Sequence, residues 1–307
     1  MSQQGSMHDK ARASGAGIIP RPPFAVPPDA GTMFERRAQR LAHLAAGHPL
    51  APYLSFLSDL AQGQHAVLHG LSPLPPVAEG APQVAVTHGM PRLAPDLVYG
   101  DGLDLAIEGL CAWIGRSARS APAAALDAAA VLMDAPAKQR RSEARAVMMR
   151  HDQPEHRVRQ NLMAAALQVH LARLASSIEP SELHAVADAV CPVCGGGVMT
   201  SSIVRWPNAA NSRYCTCALC GTMWNVVRVK CLICSSTEGI TYRTVEGISA
   251  IKAETCAGCR NYVKVLYETE DAQIEALADD VASIGLDMVL SQEGWTRAGT
   301  NIFLAGY

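Results

Sequence analysis

The sequence predicts an α+β chain. An all-α N-terminal domain is followed by two tandem, small β-rich metal subdomains of rubredoxin-like or zinc-ribbon type, and then by a C-terminal helix. Three observations predict it. Apolar residues make up 49% of the chain but aromatics only 5%, so alanine dominates, which favours closely packed helices over a β-sandwich. The ten His and ten Cys are kept apart: every His lies at or before His184, and nine of the Cys lie at or after Cys191. Four Cys-x-x-Cys pairs fall between Cys191 and Cys259, in a stretch rich in Gly, Val and Thr.

These features divide the 307 residues into five parts: 1–31, 32–188, 189–225, 226–268 and 269–307. Residues 1–31 carry Pro20, Pro22, Pro23, Pro27 and Pro28 among Gly, Ser and Ala, and read as a flexible or extended arm. The first helix is expected from about Met33, with Phe34, Leu41, Leu44 and Ala45 near helical spacing and Gly47 as its stop. A second helical run covers about Leu50 to Leu68. Residues 71–96 hold six Pro and read as a loop with room for short helices. Helical patterning resumes over Gly102–Ile114, Pro122–Met133, Lys138–His151 and Glu155–Ser176, with a short turn opening at Pro180. From Cys191 the texture becomes β-like, with strands expected at Val226–Lys230, Ile240–Val245 and Tyr262–Tyr267. Residues 271–290 return to helical spacing through Ile274, Leu277, Val281 and Ile284, and 292–307 form an irregular tail anchored by aromatics.

Composition excludes some classes. A formal net charge of −2 argues against a strongly basic nucleic-acid protein or a polybasic membrane binder. No apolar run approaches the roughly 18–20 residues that span a bilayer. The N-terminus lacks the basic start and apolar stretch of a secretory signal.

The chemistry lies in the cysteines. One Cys-x-x-Cys pair is weak; Cys191/Cys194, Cys217/Cys220, Cys231/Cys234 and Cys256/Cys259 in series are strong. Twenty-two residues separate the first pair from the second and twenty-one the third from the fourth, but only ten the second from the third. That is the spacing of two tetrathiolate metal sites in tandem. Each pair forms a knuckle aiming two sulfurs at one point, and two knuckles complete a tetrahedron. Segments this short bury too little apolar surface to fold alone, so a metal ion supplies the missing stability. Gly195, Gly196 and Gly221 follow the knuckles, where backbone amides must turn toward sulfur. The expected ligand sets are Cys191, Cys194, Cys217 and Cys220, then Cys231, Cys234, Cys256 and Cys259, rather than an interleaved arrangement. Each would hold one ion, zinc or a single rubredoxin-type iron.

Disulfides are the competing reading, disfavoured because no export signal is visible. A dithiol oxidoreductase needs one activated pair at a helix N-terminus rather than four in a β-rich stretch. Cys215 reads as a buried spare thiol or an alternate ligand, and Cys111 as helix core. From Cys191 to Lys264 there are eight Lys/Arg against three Asp/Glu. Two centres of about −2 each would bring this excess close to neutrality.

Other candidates are weaker. His65 and His69 stand at i, i+4 but lack a carboxylate motif. Arg140, Arg141, Arg145, Arg150, His151, His156, Arg157 and Arg159 form a basic cluster interspersed with Glu143, Asp152 and Glu155. It reads as a solvated helix surface, with a docking face for an acidic partner as the alternative. Trp206, Trp224 and Trp295 read as packing anchors. No Gly-x-Gly-x-x-Gly, P-loop, Gly-x-Ser-x-Gly elbow or paired-carboxylate motif stands in a credible context, so no catalytic residues are assigned and an enzyme is not expected.

From about Met33 to the C-terminus the chain resembles the formate dehydrogenase accessory protein FdhE family. The resemblance is carried by Phe34-Glu-Arg-Arg-Ala-Gln-Arg-Leu, Gly47-His-Pro-Leu-Ala-Pro-Tyr-Leu-Ser-Phe-Leu, Cys191-Pro-Val-Cys-Gly, Arg213-Tyr-Cys-Thr-Cys-Ala-Leu-Cys and Val227-Arg-Val-Lys-Cys-Leu-Ile-Cys. Ile251-Lys-Ala-Glu-Thr-Cys-Ala-Gly-Cys-Arg-Asn-Tyr, Gln292-Glu-Gly-Trp and Asn301-Ile-Phe-Leu add to it. It implies a cytoplasmic factor needed to make active formate dehydrogenase without being part of it. It also implies that the factor binds the immature catalytic subunit and that its knuckles hold rubredoxin-like iron. A homodimer is compatible with it; nucleic-acid binding and membrane insertion are not expected. In the family pattern a Leu-His precedes the second knuckle and Glu-Trp-His follows it. Here those positions read Cys215-Thr216 and Met223-Trp224-Asn225, which leaves any histidine role there open and adds a thiol able to alter redox behaviour. The runner-up is a zinc-ribbon nucleic-acid-binding module, which near-neutral charge disfavours.

Overall fold

The computed structural model describes residues 22–72, 88–116, 118–151 and 153–304. Residues 1–21 of the expected arm at 1–31, residues 73–87 of the Pro-rich loop, Ser117, Asp152 and the last three residues lie outside them.

The N-terminal part is a helical bundle. Helix α1 (Ala30–Ala45) buries Phe34, Ala38, Leu41 and Ala45 along one face. It begins three residues earlier than the apolar spacing suggests, because Asp29 caps it: its carboxylate accepts from the Gly31 amide at 3.1 Å and the Thr32 hydroxyl at 2.7 Å. Helix α2 (Ala51–Gly70) has Pro52 in its first turn. Short α3 (Pro95–Val98) leads into α4 (Asp101–Arg116), α5 (Ala123–Asp134) and α6 (Ala137–Met148). A Cβ on Gly63 would lie 2.4 Å from the Trp113 ring, so only glycine allows α2 and α4 to approach this closely. Helix α7 (Arg157–Ser176) is buried almost all round, which marks it as the central helix. Among the described residues no helix is long and apolar enough to cross a membrane.

Among the described residues, the rest of the chain and a strand that precedes α1 build one eight-stranded sheet: β1 (Ala25–Val26), β2 (Val198–Ile203), β3 (Arg213–Cys217), β4 (Met223–Val226), β5 (Ile240–Arg243), β6 (Ile251–Cys256), β7 (Asn261–Tyr267) and β8 (Thr296–Arg297). The strand order is β1-β4-β3-β2-β7-β6-β5, with β8 also paired to β7. The two metal units are therefore halves of a single sheet, fused where β2 runs parallel to β7 with Ser201 opposite Val265. The end of the expected arm is tied in as well, since Ala25 pairs with Trp224 on β4.

Two expected elements are corrected. The strand foreseen at Val226–Lys230 stops at Val226. The carbonyls of Arg228 and Lys230 accept from the Arg213 guanidinium instead of a neighbouring strand. The helix foreseen over 271–290 breaks at Ser283 into α8 (Ala276–Ala282) and α9 (Ile284–Gln292). The break leaves the Asp280 and Ser283 carbonyls free to accept from the buried Lys264 ammonium at 2.9 and 3.1 Å.

The hydrophobic core is continuous from the bundle through the first cysteine unit, joining Phe34, Leu57 and Leu167 to Cys191, Cys217 and Trp224. A smaller core, with Ile251, Tyr262, Leu286 and Trp295, supports the second unit.

Candidate metal centres

In three of the four knuckles the chain folds back on its first cysteine in a tight turn. The amides of Gly195, Ser235 and Arg260 donate to the carbonyls of Cys191, Cys231 and Cys256 at 3.1, 3.0 and 2.9 Å. The residue after the second cysteine takes a left-handed conformation in all four knuckles: φ is 75° at Gly195, 77° at Gly221, 61° at Ser235 and 58° at Arg260. Amides then point at sulfur. Val193, Gly196 and Leu219 N lie 3.4 Å from the Sγ atoms of Cys191, Cys194 and Cys217. A Cβ on Gly196 would stand 3.2 Å from two of those sulfurs, which explains the second glycine of the pair.

The eight predicted cysteines gather in two sets, Cys191/Cys194/Cys217/Cys220 and Cys231/Cys234/Cys256/Cys259, with the sulfurs of each set within 4.8 Å of one another. The grouping is sequential, not interleaved. Sγ–Sγ separations are 3.5 Å for Cys191–Cys220 and Cys194–Cys217, and 3.6 Å for Cys231–Cys259 and Cys234–Cys256. These are far too long for a disulfide of about 2.05 Å. They approach the edge of about 3.8 Å of a tetrahedron of sulfurs around an ion with metal–sulfur bonds of about 2.3 Å. The two Cys₄ clusters could hold two metal ions, and four sulfurs suit zinc and iron equally.

The buried thiols of the first cluster perturb one another in opposite directions. Burial holds the Cys191 thiol well above the ordinary thiol range. At Cys217 burial acts upward too, but hydrogen bonds from Cys191, Cys194, Cys220 and the Leu219 amide prevail and draw it well below. Four thiolates in so dry a setting would need a positive ion among them.

The clusters differ in their surroundings. The first is enclosed: Cys191 and Cys220 are 0% exposed and Cys194 only 6%. Its knuckles are held by the helical part. The amides of Arg92 and Leu93 donate to Pro192 and Val193 O at 2.9 and 2.8 Å, and the Gln168 side chain donates to Ala218 O at 2.8 Å. In the second cluster Cys234 is exposed and Cys259 half-buried. Exposed apolar side chains flank it in sequence, Val229 and Ile233 among them.

The remaining candidates do not form sites. Cys111 and Cys215 are buried thiols pushed up to about 12 by desolvation, and neither belongs to a cluster. His65 and His69 approach edge to face at 4.3 Å, yet no metal-binding group among the described residues includes them. Three members of the basic helical cluster are held in ion pairs. Arg140 pairs with Asp104 and Glu108, Arg141 with Asp101 and Asp104, and Arg159 with Glu143. Trp224 and Trp295 are buried and Trp206 is partly so, its ring tilted by 51° against Tyr214.

Sequence reasoning missed two buried charge networks. Arg213 on β3 pairs with Glu254 on β6 at 2.9 Å, at 0% and 4% side-chain exposure. Lys264 and Arg297 face Asp280 and Asp287 beneath the second unit. The usable signal was a lone charge inside an apolar strand, as in Tyr262-Val-Lys-Val-Leu-Tyr.

The chain matches three family models in succession: FdhE, N-terminal, over residues 22–188; FdhE, central domain, over 190–228; and FdhE, C-terminal domain, over 229–304. It is 36% identical over 296 residues to the Protein FdhE homolog of Rhizobium meliloti, covering 95% of this chain and 96% of that protein. It is 32% identical over 281 residues to the Protein FdhE homolog of Pseudomonas aeruginosa, covering 89% and 90%. The crystal structure of the FdhE protein from Pseudomonas aeruginosa is similar with a TM-score of 0.82 at 32% identity, over 92% of this chain and 99% of that one.

Proposed function

The chain belongs to the FdhE family, and on that premise we propose that it is an accessory factor in the assembly of active formate dehydrogenase, binding the catalytic subunit without itself catalysing a reaction. The observation that carries this is similarity to FdhE homologues along nearly the whole chain, helical part and cysteine units alike. It acts in the cytoplasm. For this role the chain divides into the helical part to residue 188, cysteine units at 189–225 and 226–268, and a closing helical segment.

The eight cysteines are the ligands of two ions, rubredoxin-type iron or zinc, one per cluster. Enclosure by the bundle makes the first a fixed structural centre. Exposure of Cys234 and of the neighbouring Ile233 offers the second to the client.

Co-purification of the full chain with a formate dehydrogenase catalytic subunit tests the role. Loss of formate dehydrogenase activity on deleting the gene, with no physical association between the two proteins, would overturn the binding mechanism. Elemental analysis and an absorption spectrum of freshly purified protein decide the metal, since ferric tetrathiolate is coloured and zinc is not.

A further inference from the structure

Arg213 stands between the two clusters and touches structural parts of both. It opens β3, the strand that ends in Cys217 of the first cluster, and is 1% exposed. Its Nε donates to Ser201 Oγ on β2 at 3.1 Å. Its Nη1 donates to the carbonyls of Arg228 and Lys230 at 3.3 and 3.2 Å, and Lys230 immediately precedes Cys231 of the second cluster. The same Nη1 pairs with Glu254 at 2.9 Å, two residues before Cys256. Glu254 is fixed in turn by the Tyr242 hydroxyl at 2.9 Å. One guanidinium thus fixes the approach to Cys231 and the strand that delivers Cys256.

A second link runs beside it. Lys230 pairs with Asp188 at 2.6 Å, three residues before Cys191, and the Asp188 carbonyl accepts from the Trp224 indole at 2.9 Å. The parallel pairing of β2 with β7 closes the frame, because β2 follows Cys194 and β7 follows Cys259.

Removing the metal from one cluster loosens the knuckles that its thiolates hold. At the first cluster this frees β3 and with it Arg213. The Arg213–Glu254 pair is buried, so displacing either partner leaves an uncompensated charge, and the structure resists partial separation. A disturbance in one unit therefore reaches the other as loss of order at Lys230-Cys231 and Glu254-Thr-Cys256.

We propose that the two Cys₄ clusters are energetically coupled through the buried Arg213–Glu254 pair, so that metal in either cluster raises the metal affinity of the other. This rests on the reading that both clusters hold metal. Arg213 is a positioning residue here and binds no metal itself.

Zinc titration of the reduced full chain against a competing chromophoric chelator tests it. The unaltered chain should bind two ions. Cys191→Ser with Cys220→Ser, which disables the first cluster, should weaken zinc binding at the second by about tenfold, within the range usual for coupled sites. Reciprocity requires Cys234→Ser with Cys259→Ser to weaken the first cluster by the same factor. In a chain carrying Arg213→Met and Glu254→Met, which replaces the pair by apolar side chains, the same cysteine changes should shift the surviving site less than twofold. Arg213→Lys keeps the charge but cannot span Glu254 and both carbonyls; it should reduce the coupling too, and serves if the double variant does not fold. Equal affinity of the second cluster with and without the first overturns the coupling alone. A coupling that survives both Arg213 changes overturns the role of the pair. Binding of fewer than two zinc ions by the unaltered chain overturns the metal reading and the coupling together.

Discussion

Ser235 holds in the second cluster the left-handed backbone conformation that Gly221 holds in the first, with φ of 61° against 77°. The conformation is required by the knuckle, not by the residue, since Gly195 and Arg260 adopt it too. A side chain there costs about 1–2 kcal/mol, partly offset because glycine loses more freedom on folding.

Exchange at these two positions should therefore move stability in opposite directions. Ser235 is exposed, so Ser235→Gly loses no packing and should stabilise the second unit by about 0.5–1 kcal/mol. Gly221→Ala adds a Cβ at 2.5 Å from Met33 Sδ in the same conformation, and should cost about 1–3 kcal/mol. Denaturant unfolding of the metal-loaded chain measures both; a loss of stability in Ser235→Gly would contradict the account.

The difference in enclosure predicts an order of thiol reactivity. Thiolate reactivity needs access as well as charge, and only the second cluster offers it. Under mild alkylation, peptide mass spectrometry should find Cys234 and Cys259 modified well before Cys191, Cys217 and Cys220. At saturating metal, Cys234→Ser should lower the bound metal by about one ion per chain, the first cluster still filling but with the weaker affinity that the coupling requires. Earlier labelling of Cys191 would mean that the bundle does not shield the first cluster.

The cysteine pairing was legible in the sequence because a knuckle is a local device: two residues between cysteines and about twenty between knuckles leave little choice of partner. Helices were legible for the same reason, through spacings such as Phe34, Leu41 and Ala45. What was not legible depends on contacts distant in sequence. Val226–Lys230 alternates like a strand, yet ends early because Arg213 claims the carbonyls of residues 228 and 230. The helix over 271–290 breaks where Lys264, from strand β7, takes the carbonyls of Asp280 and Ser283. Strand β2 reads Val-Met-Thr-Ser-Ser-Ile and lacks alternation because all six residues are buried. The asymmetry between the clusters was equally hidden, since the shield is Gln168 and the Arg92–Leu93 segment, far away in the chain.

The lower network predicts acid sensitivity. Burial alone would raise the Asp280 carboxyl, but the charges of Arg297 and Lys264 outweigh it and hold it below the usual carboxylate range. A depressed folded-state value stabilises the native chain above the unfolded carboxyl pKa of about 3.9 and is lost as pH falls through the lower folded value. Asp280→Asn leaves Lys264 and Arg297 facing Asp287 alone and should cost about 3–5 kcal/mol at pH 7. The gap between wild type and variant should narrow below about pH 4. Unfolding at several pH values, with metal content followed in parallel because acid also releases metal from thiolates, measures that gap. A gap that stays constant through this range would overturn the assignment.

Gln168 predicts how strongly the first cluster depends on the bundle. Its Nε2 donates to Ala218 O inside the second knuckle at 2.8 Å, while its Oε1 accepts from Gln64 Nε2 at 2.9 Å and Arg37 Nη1 at 3.4 Å. All three side chains are buried, so water cannot replace a lost partner. Gln168→Leu keeps a similar volume but orphans the Ala218 carbonyl and weakens the satisfaction of Gln64 and Arg37. Each orphaned buried group costs about 1–3 kcal/mol, and the carbonyl lies between two cysteines of the cluster. The variant should lose metal from the first cluster faster on chelator challenge, at a rate nearer that of the second. Gln168→Glu is the sharper probe. The carboxylate keeps acceptors for Arg37 and Gln64 but cannot donate to Ala218 O, so it should reproduce the faster release while preserving more of the global stability. If Gln168→Glu releases metal as slowly as the unaltered chain, the hydrogen bond to Ala218 does not hold the knuckle, and shielding by packing alone must account for the enclosure.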